Sequence, residues 1–163
     1  MITALTLSGL PTRRFVFEGF LPPVKNKKER QEVLEALRNE TRTMVLYEAP
    51  HHLKGTLEEL KEVLGGDRKI SLCREMTKRY EEVVRTTLSE ALMLEPKGEY
   101  VLVIQGRSRE ALLKEKQDSF LSMTVEEHVE KYMEQGMDKK EAMKAAAKDR
   151  GVSKRDIYQA LSR

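Results

Sequence analysis

Short apolar runs of strand length alternate, over the first hundred residues, with runs whose apolar residues recur at helical spacing. Phe15-Val16-Phe17-Glu18-Gly19-Phe20, Thr43-Met44-Val45-Leu46-Tyr47, Lys69–Arg74, Glu82–Thr86 and Tyr100-Val101-Leu102-Val103-Ile104 are the strand candidates. They are rich in β-branched and aromatic residues and bounded by proline, glycine or charge. Between them, Lys27–Arg38 places Val33, Leu34 and Leu37 on one helical face, and His51–Leu64 does the same with Leu53, Leu57, Leu60 and Leu64. Gly65-Gly66-Asp67 stops that second helix, and Thr87–Leu94 reads as a short helix capped by Thr87 or Ser89. Such alternation predicts an α/β layered domain. Met1–Ser8 is apolar and small and ends at Gly9-Leu10-Pro11, with no element assigned.

The 163 residues suit one domain, or one domain with a small appendage, and can bury a core without disulfides. The longest uncharged stretch, Met1–Thr12, is shorter than the ~20 residues of a membrane span and lacks a basic n-region. The single cysteine, Cys73, excludes an internal disulfide and argues against a cysteine zinc site. Together these point to a soluble protein of the reducing cytoplasm.

Charge is unevenly placed. Lys139–Arg163 holds eight basic and three acidic residues, a tail of +5, whereas the preceding 138 residues hold 22 basic and 24 acidic, or −2. A basic end on a near-neutral body suits a polyanion partner, or else a solvated helix face. Thr124 followed by Glu127 opens a helix by a capping box, Lys139–Arg150 forms a second ended by Gly151, and Ser153 caps a third. This is the outline of a helix-turn-helix. Expected boundaries are residues 1–106 for the α/β domain, 107–122 for a polar linker or irregular helix, and 123–163 for the helical appendage.

Three segments carry candidate chemistry. Tyr47-Glu48-Ala49-Pro50-His51-His52 follows a strand, where α/β sheets place ligands. It offers an aromatic face for a nucleobase and a carboxylate, or simply a strand-to-helix turn. Adjacent histidines do not converge on one helix face, so no metal site is expected. Arg74-Glu75-Met76-Thr77-Lys78-Arg79-Tyr80-Glu81-Glu82 is a second charged block, open to the reading of a self-paired surface loop. Arg13-Arg14 beside Pro11 suits forked contacts to phosphate, or solvation. No G-x-G-x-x-G, G-x-x-x-x-G-K-[ST] or G-x-S-x-G occurs, so the chain carries no complete glycine-rich cofactor loop.

Four ordered blocks resemble the ribosomal RNA small subunit methyltransferase I family of the tetrapyrrole (corrin/porphyrin) methylase superfamily. They are Ser8–Pro22, Leu46–His51, Gly66-Asp67-Arg68 with Cys73–Lys78 and Glu81-Glu82, and Gly98–Gly106. The tail Thr124–Leu161 is similar to the helical appendage of members of that family. His52 departs from the pattern, which commonly has arginine there. The resemblance implies the C-terminal mixed-sheet domain of the methylase fold, with the N-terminal domain that supplies much of the cofactor site lying outside this chain.

The implied activity is methyl transfer from S-adenosylmethionine to the ribose 2′-hydroxyl of a cytidine in 16S ribosomal RNA, by a homodimer acting on RNA or the small ribosomal subunit. Alone, the chain is expected to be inactive. Leu46, Tyr47, Glu48, Ala49 and Gly106 would line the cofactor. Glu48, Glu75 and Glu82 are the candidates for a general base. Arg13, Arg14, Arg74, Thr77, Lys78, Lys140, Lys144, Lys154 and Arg155 would meet RNA. A tetrapyrrole ring methyltransferase domain and a non-enzymatic nucleic-acid-binding module are the alternatives.

Overall fold

Five strands form one mixed sheet, and its order explains where the rest of the chain must go. The computed structural model describes residues 1–162. The strands are β1 (Phe15–Phe20), β2 (Thr43–Glu48), β3 (Lys69–Arg74), β4 (Glu82–Thr87) and β5 (Tyr100–Ile104), arranged β1-β2-β5-β3-β4. β1 pairs with β2 in parallel, joined through helix α2 (Lys27–Arg38). β5 lies between β2 and β3 and is antiparallel to both. β2 and β3 therefore run in the same direction, connected through helix α3 (Leu53–Leu64). β3 and β4 form a hairpin.

Alternation along the strands sorts the side chains onto two faces. Met44, Leu46, Ile70, Leu72, Leu102 and Ile104 meet Leu34 and Leu37 of α2, Leu53, Leu57 and Leu60 of α3, and Leu88 of the short helix α4 (Leu88–Ala91). Fully burying each such side chain is worth about 1.5–3 kcal/mol. Val45, Cys73 and Val103 point to the other face, where Ala4 and Leu5 cover them. Those two residues belong to helix α1 (Ile2–Leu7), in the segment to which sequence patterning assigned no element. The Arg85 guanidinium donates twice to the Leu7 carbonyl at the carboxyl end of α1, and Ser71 Oγ donates to the Ser8 carbonyl at 2.7 Å. Because β2 is covered on both sides, it reads as a continuous apolar run rather than an alternating one.

One ion pair locks α2 to α3. Arg30, 6% exposed, grips both carboxylate oxygens of Glu59, with the shortest contact 2.6 Å. Nη1 donates to the Pro22 carbonyl, and Nη2, which also holds Glu59, donates to Thr56 Oγ1, so the buried guanidinium is well provided with acceptors.

The chain divides into two compact units, Met1–Arg107 and a second beginning at Ser108. The second is all helical: α5 (Arg109–Ser119), α6 (Val125–Glu134), α7 (Lys139–Arg150) and α8 (Lys154–Leu161). The expected linker over 107–122 is thus largely a regular helix. Ser108 Oγ caps it by accepting from Ala111 N at 3.0 Å. None of its residues is buried, so it lacks the apolar stripe that marks a helix in sequence. Thr124 and Ser153 open α6 and α8 with capping boxes, and Asp138 caps α7. Val129, Ala142, Met143, Ala146, Ala147 and Ile157 form the core of this unit. Gly151, at φ 67°, takes the left-handed conformation that ends α7 and turns the chain toward α8.

Candidate functional site

The common direction of β2 and β3 brings their carboxyl ends to one edge of the sheet. A cleft of about 440 Å³ opens there, within the size range of small-molecule sites. Tyr47, Glu48 and Ala49 line it from the end of β2, and Glu75, Met76, Thr77 and Lys78 line it from the β3–β4 loop. The β5 residues Tyr100 and Val101 close its base, and Met1 and Thr3 contribute from the first residues of the chain. Sequence reasoning did not anticipate Met1 and Thr3, because only the docking of α1 brings them here.

The aromatic wall is a cluster of three rings. Phe17 meets the Tyr47 ring edge-on at 5.1 Å, and Phe20 packs against it at 5.6 Å. Phe17 and Phe20 remain 44% and 66% exposed, an unusual state for phenylalanines on a strand. Phe20 and Tyr47 line the cleft and give it exposed ring surface beside a polar rim, while Phe17 backs the Tyr47 ring from outside the lining.

The three candidate bases differ sharply. Glu48 is buried, and both of its oxygens are used: Oε1 accepts from Ala49 N at 2.8 Å and Oε2 from Thr56 Oγ1 at 2.6 Å. Glu75 lies on the cleft wall, where Glu99 N donates to Oε1 at 2.7 Å and Lys78 Nζ pairs with Oε2 at 3.3 Å. The Glu99 amide first, then Lys78, hold the Glu75 carboxyl below its ordinary range. Glu82 pairs with Arg74 at 2.9 Å at the mouth of the β3–β4 hairpin, outside the cleft lining.

The β3–β4 loop is strained. Glu75 and Thr77 have φ of 49° and 65°, and a β-branched residue rarely enters this region. The Glu81 carboxylate holds the turn by accepting from Thr77 N at 2.6 Å, and Lys78 bridges Glu75 and Glu99. Much of the charge in this block is thus paired within or beside the loop. Strain of this kind concentrates where a ligand is clamped. Arg74 presents one further feature: its Nε is buried and has no hydrogen-bond partner among the described residues.

Other expected site residues lie elsewhere. Leu46 faces the helix-side core, 1% exposed, and is not part of the cleft lining. Gly106 follows the carboxyl end of β5, which is antiparallel to β2, and so stands at the opposite sheet edge. There a Cβ would fall 2.3 Å from the Thr41 backbone, so packing dictates the glycine. His51 and His52, their rings 4.1 Å apart, border a separate depression with Arg30 and Thr56. Arg13 and Arg14 are exposed just before β1. Lys140 and Lys144 stand exposed on α7, and Lys154 and Arg155 open α8, in the second unit. Among the described residues no three histidine, cysteine, aspartate or glutamate side chains converge to hold a metal ion.

Residues 1–92, more than half of the chain, match the family described as Tetrapyrrole (Corrin/Porphyrin) Methylases. The chain belongs to that family. Within the tetrapyrrole methylases it is similar to proteins named Ribosomal RNA small subunit methyltransferase I. The Bacillus subtilis (strain 168) protein is 44% identical over 163 residues, covering 98% of this chain and 54% of the relative. The Synechocystis protein is 39% identical over 163 residues, covering 98% and 56%. The chain therefore spans about half the length of these relatives. Among solved structures, the methyltransferase CobJ superposes with a TM-score of 0.51 at 18% identity, over 64% of this chain and 46% of that one. That likeness supports the methylase fold for the α/β unit. No helix among the described residues is long and apolar enough to cross a membrane.

Proposed function

We propose that this tetrapyrrole methylase chain forms the C-terminal part of an enzyme that methylates 16S ribosomal RNA of the small subunit, on the ribose 2′-hydroxyl of a cytidine. The cleft between the end of β2 and the strained β3–β4 loop is the observation that carries this reading. The names of the relatives support the RNA substrate.

S-adenosylmethionine fits the residues present: Tyr47 and Phe20 offer aromatic rings for adenine, and Met76 and Val101 an apolar floor. The buried, unpartnered Nε of Arg74 is a donor suited to a carboxylate or phosphate oxygen near the same strand end. When bound, the cofactor supplies a sulfonium methyl that needs alignment more than activation.

The work left to the protein is to orient a weakly acidic hydroxyl and to accept its proton late in the reaction. Glu48 is committed to Ala49 and Thr56 and acts as a positioning residue for the Tyr47–Ala49 turn. Glu82 is committed to Arg74. Glu75 lines the cleft beside Glu48 and Glu99, but its amide and lysine partners make it a weak base, so it serves to shape the loop and orient donors. Catalysis under this reading rests on positioning rather than on a strong base. The chain furnishes one wall of the site, and transfer requires the further half that the relatives possess. A homodimer in the cytoplasm and the expected division at residues 107–122 belong to the same proposal.

The appendage supports an RNA substrate. Lys154 and Arg155 sit in the first turn of α8, where the helix dipole disfavours cations. Asp156 in the same turn offsets one of these charges, and an anionic partner would offset the other. The experiment is methylation of 16S RNA, with mapping of the modified nucleotide, by a protein that joins this chain to that further half. Modification at a cytidine ribose, reduced at least tenfold by Tyr47→Ala, supports the reading. Methylation of a tetrapyrrole and not of RNA overturns it.

A further inference from the structure

The edge of the sheet opposite the cleft gathers cationic side chains from four separate segments. Arg13 and Arg14 precede β1, Arg42 precedes β2, Arg68 and Lys69 stand at the start of β3, and Arg107 follows β5. Register brings them together: Phe15 pairs with Thr43, which sets Arg14 beside Arg42, and Ile70 pairs with Ile104, which sets Lys69 near the end of β5. At strand spacings of about 4.8 Å, the row from β1 to β3 is about 14 Å wide.

Part of this charge has no local counterion, whereas Arg42 is paired with Glu40 and Arg107 donates to Asn39 Oδ1 at 2.8 Å. Arg13, Arg14 and Lys69 are exposed, and among the described residues none of their side chains forms a hydrogen bond or an ion pair. Arg68 donates only to backbone carbonyls, those of Gln105 and Leu64, each at 3.1 Å. Burial, and then the neighbouring charge of Arg107, push the Arg68 guanidinium down from its ordinary value. The acids at this edge are Glu40, which takes both ends of Arg42 at 2.6 and 2.9 Å, Glu18 and Asp67.

We propose that this edge is a phosphate-binding surface that grips the sugar–phosphate backbone of RNA, away from the cleft where the ribose would react. The inference rests on the reading of RNA as substrate. Its breadth matches two to three successive phosphates, and arginine is the residue best suited to forked contacts with them. Such contacts position a polynucleotide without reading its sequence.

The test is binding of a fluorescein-labelled small-subunit RNA transcript to the full chain at several salt concentrations. Three proteins are compared: wild type, the triple variant R13Q/R14Q/K69Q, and the charge-matched control K25Q/K27Q/K28Q at the start of α2. The six residues are exposed, so thermal melts are expected to coincide. The first triple variant is expected to bind about tenfold more weakly at moderate salt. Its salt slope should fall by about one for each phosphate it no longer neutralises. The control should stay within twofold of wild type. Wild-type binding that the first triple leaves unchanged, or that both triples weaken equally, overturns the surface while RNA recognition stands. A wild-type chain that binds no RNA at any salt overturns the RNA reading and this inference with it.

Discussion

Thr56 Oγ1 donates to Glu48 Oε2 across 2.6 Å, which ties the first turns of α3 to the last residue of β2. The same hydroxyl accepts from Arg30 Nη2 at 2.8 Å, so the cleft turn is connected to the buried pair of Arg30 and Glu59. Thr56→Val keeps the shape and removes both bonds. It should destabilise the α/β unit by about 1–3 kcal/mol, since the Glu48 carboxylate is left short of a donor. Thr56→Ser, which keeps the hydroxyl, should cost less than half as much. Urea denaturation of the two variants tests this, and equal losses would refute it.

Gly106 predicts a steric result. Its substitution by alanine puts a Cβ 2.3 Å from the carbonyl carbon and oxygen of Thr41. Backbone atoms cannot swing aside as a flexible side chain does, so the cost should reach about 3 kcal/mol, the upper part of the overpacking range. Gly55, where a Cβ would meet no atom within 4 Å, is the control: Gly55→Ala should be neutral or stabilising in a helix. Thermal melts of both variants decide the matter.

His128 predicts acid sensitivity of the helical unit. The ring is 1% exposed and stacks on Phe120 and Tyr132. Arg150 Nε donates to Nδ1 at 3.1 Å, which requires that nitrogen to be unprotonated. Nε2 faces the Asp149 carboxylate at 3.6 Å, and that carboxylate also takes the Tyr132 hydroxyl and Lys116. Burial, then the charges of Arg150 and Lys131 against the opposing pull of Asp149, leave His128 below its ordinary value. Because the folded value is depressed, the unfolded chain takes up a proton first. Stability of this unit is therefore full above pH ~6.5 and declines as pH falls through that value. Amide exchange across α6 and α7 should accelerate between pH 7.5 and 5.5 after correction for intrinsic rates. His128→Gln should flatten that dependence.

Cys73 should be chemically silent in the native protein. It is fully buried on the α1 side of the sheet, and burial pushes its thiol up to about 11. At pH 8 only about one thiol in a thousand would be thiolate. A disulfide-exchange reagent should label the folded chain negligibly over minutes and label it fully in denaturant. Rapid native labelling would show that α1 detaches from Val45, Cys73 and Val103.

These sites differ in how far the sequence reveals them. The strands and the helices α2, α3, α6 and α7 were legible because each carries its own period, cap or glycine stop; Thr124 with Glu127 is an example. Helix α1 was not, since it has six residues and no side-chain cap, and Ala4 and Leu5 find their partners only in strands far along the chain. The Tyr47–Ala49 turn and the Glu75–Lys78 loop were visible as segments, but their meeting in one cleft depends on sheet order. Gly106 shows the limit most clearly. It ends an apolar strand as Tyr47 nearly does, yet strand direction, which no local pattern encodes, sends it to the far edge. The positive φ of Thr77 was equally hidden, because nothing about threonine announces it.

The placement of β5 also bears on how the molecule is made. β5 is the last strand in the chain and the middle one in the sheet, so ribosomal synthesis delivers the centre after both flanks. Until Tyr100–Ile104 emerges, β1 with β2 and β3 with β4 are two separate ribbons, each too small to hold itself in water. Both expose an unpaired inner edge ready to join a neighbouring chain. The nascent protein passes through a window of vulnerability that closes with five residues, and it is there that a chaperone has most to protect.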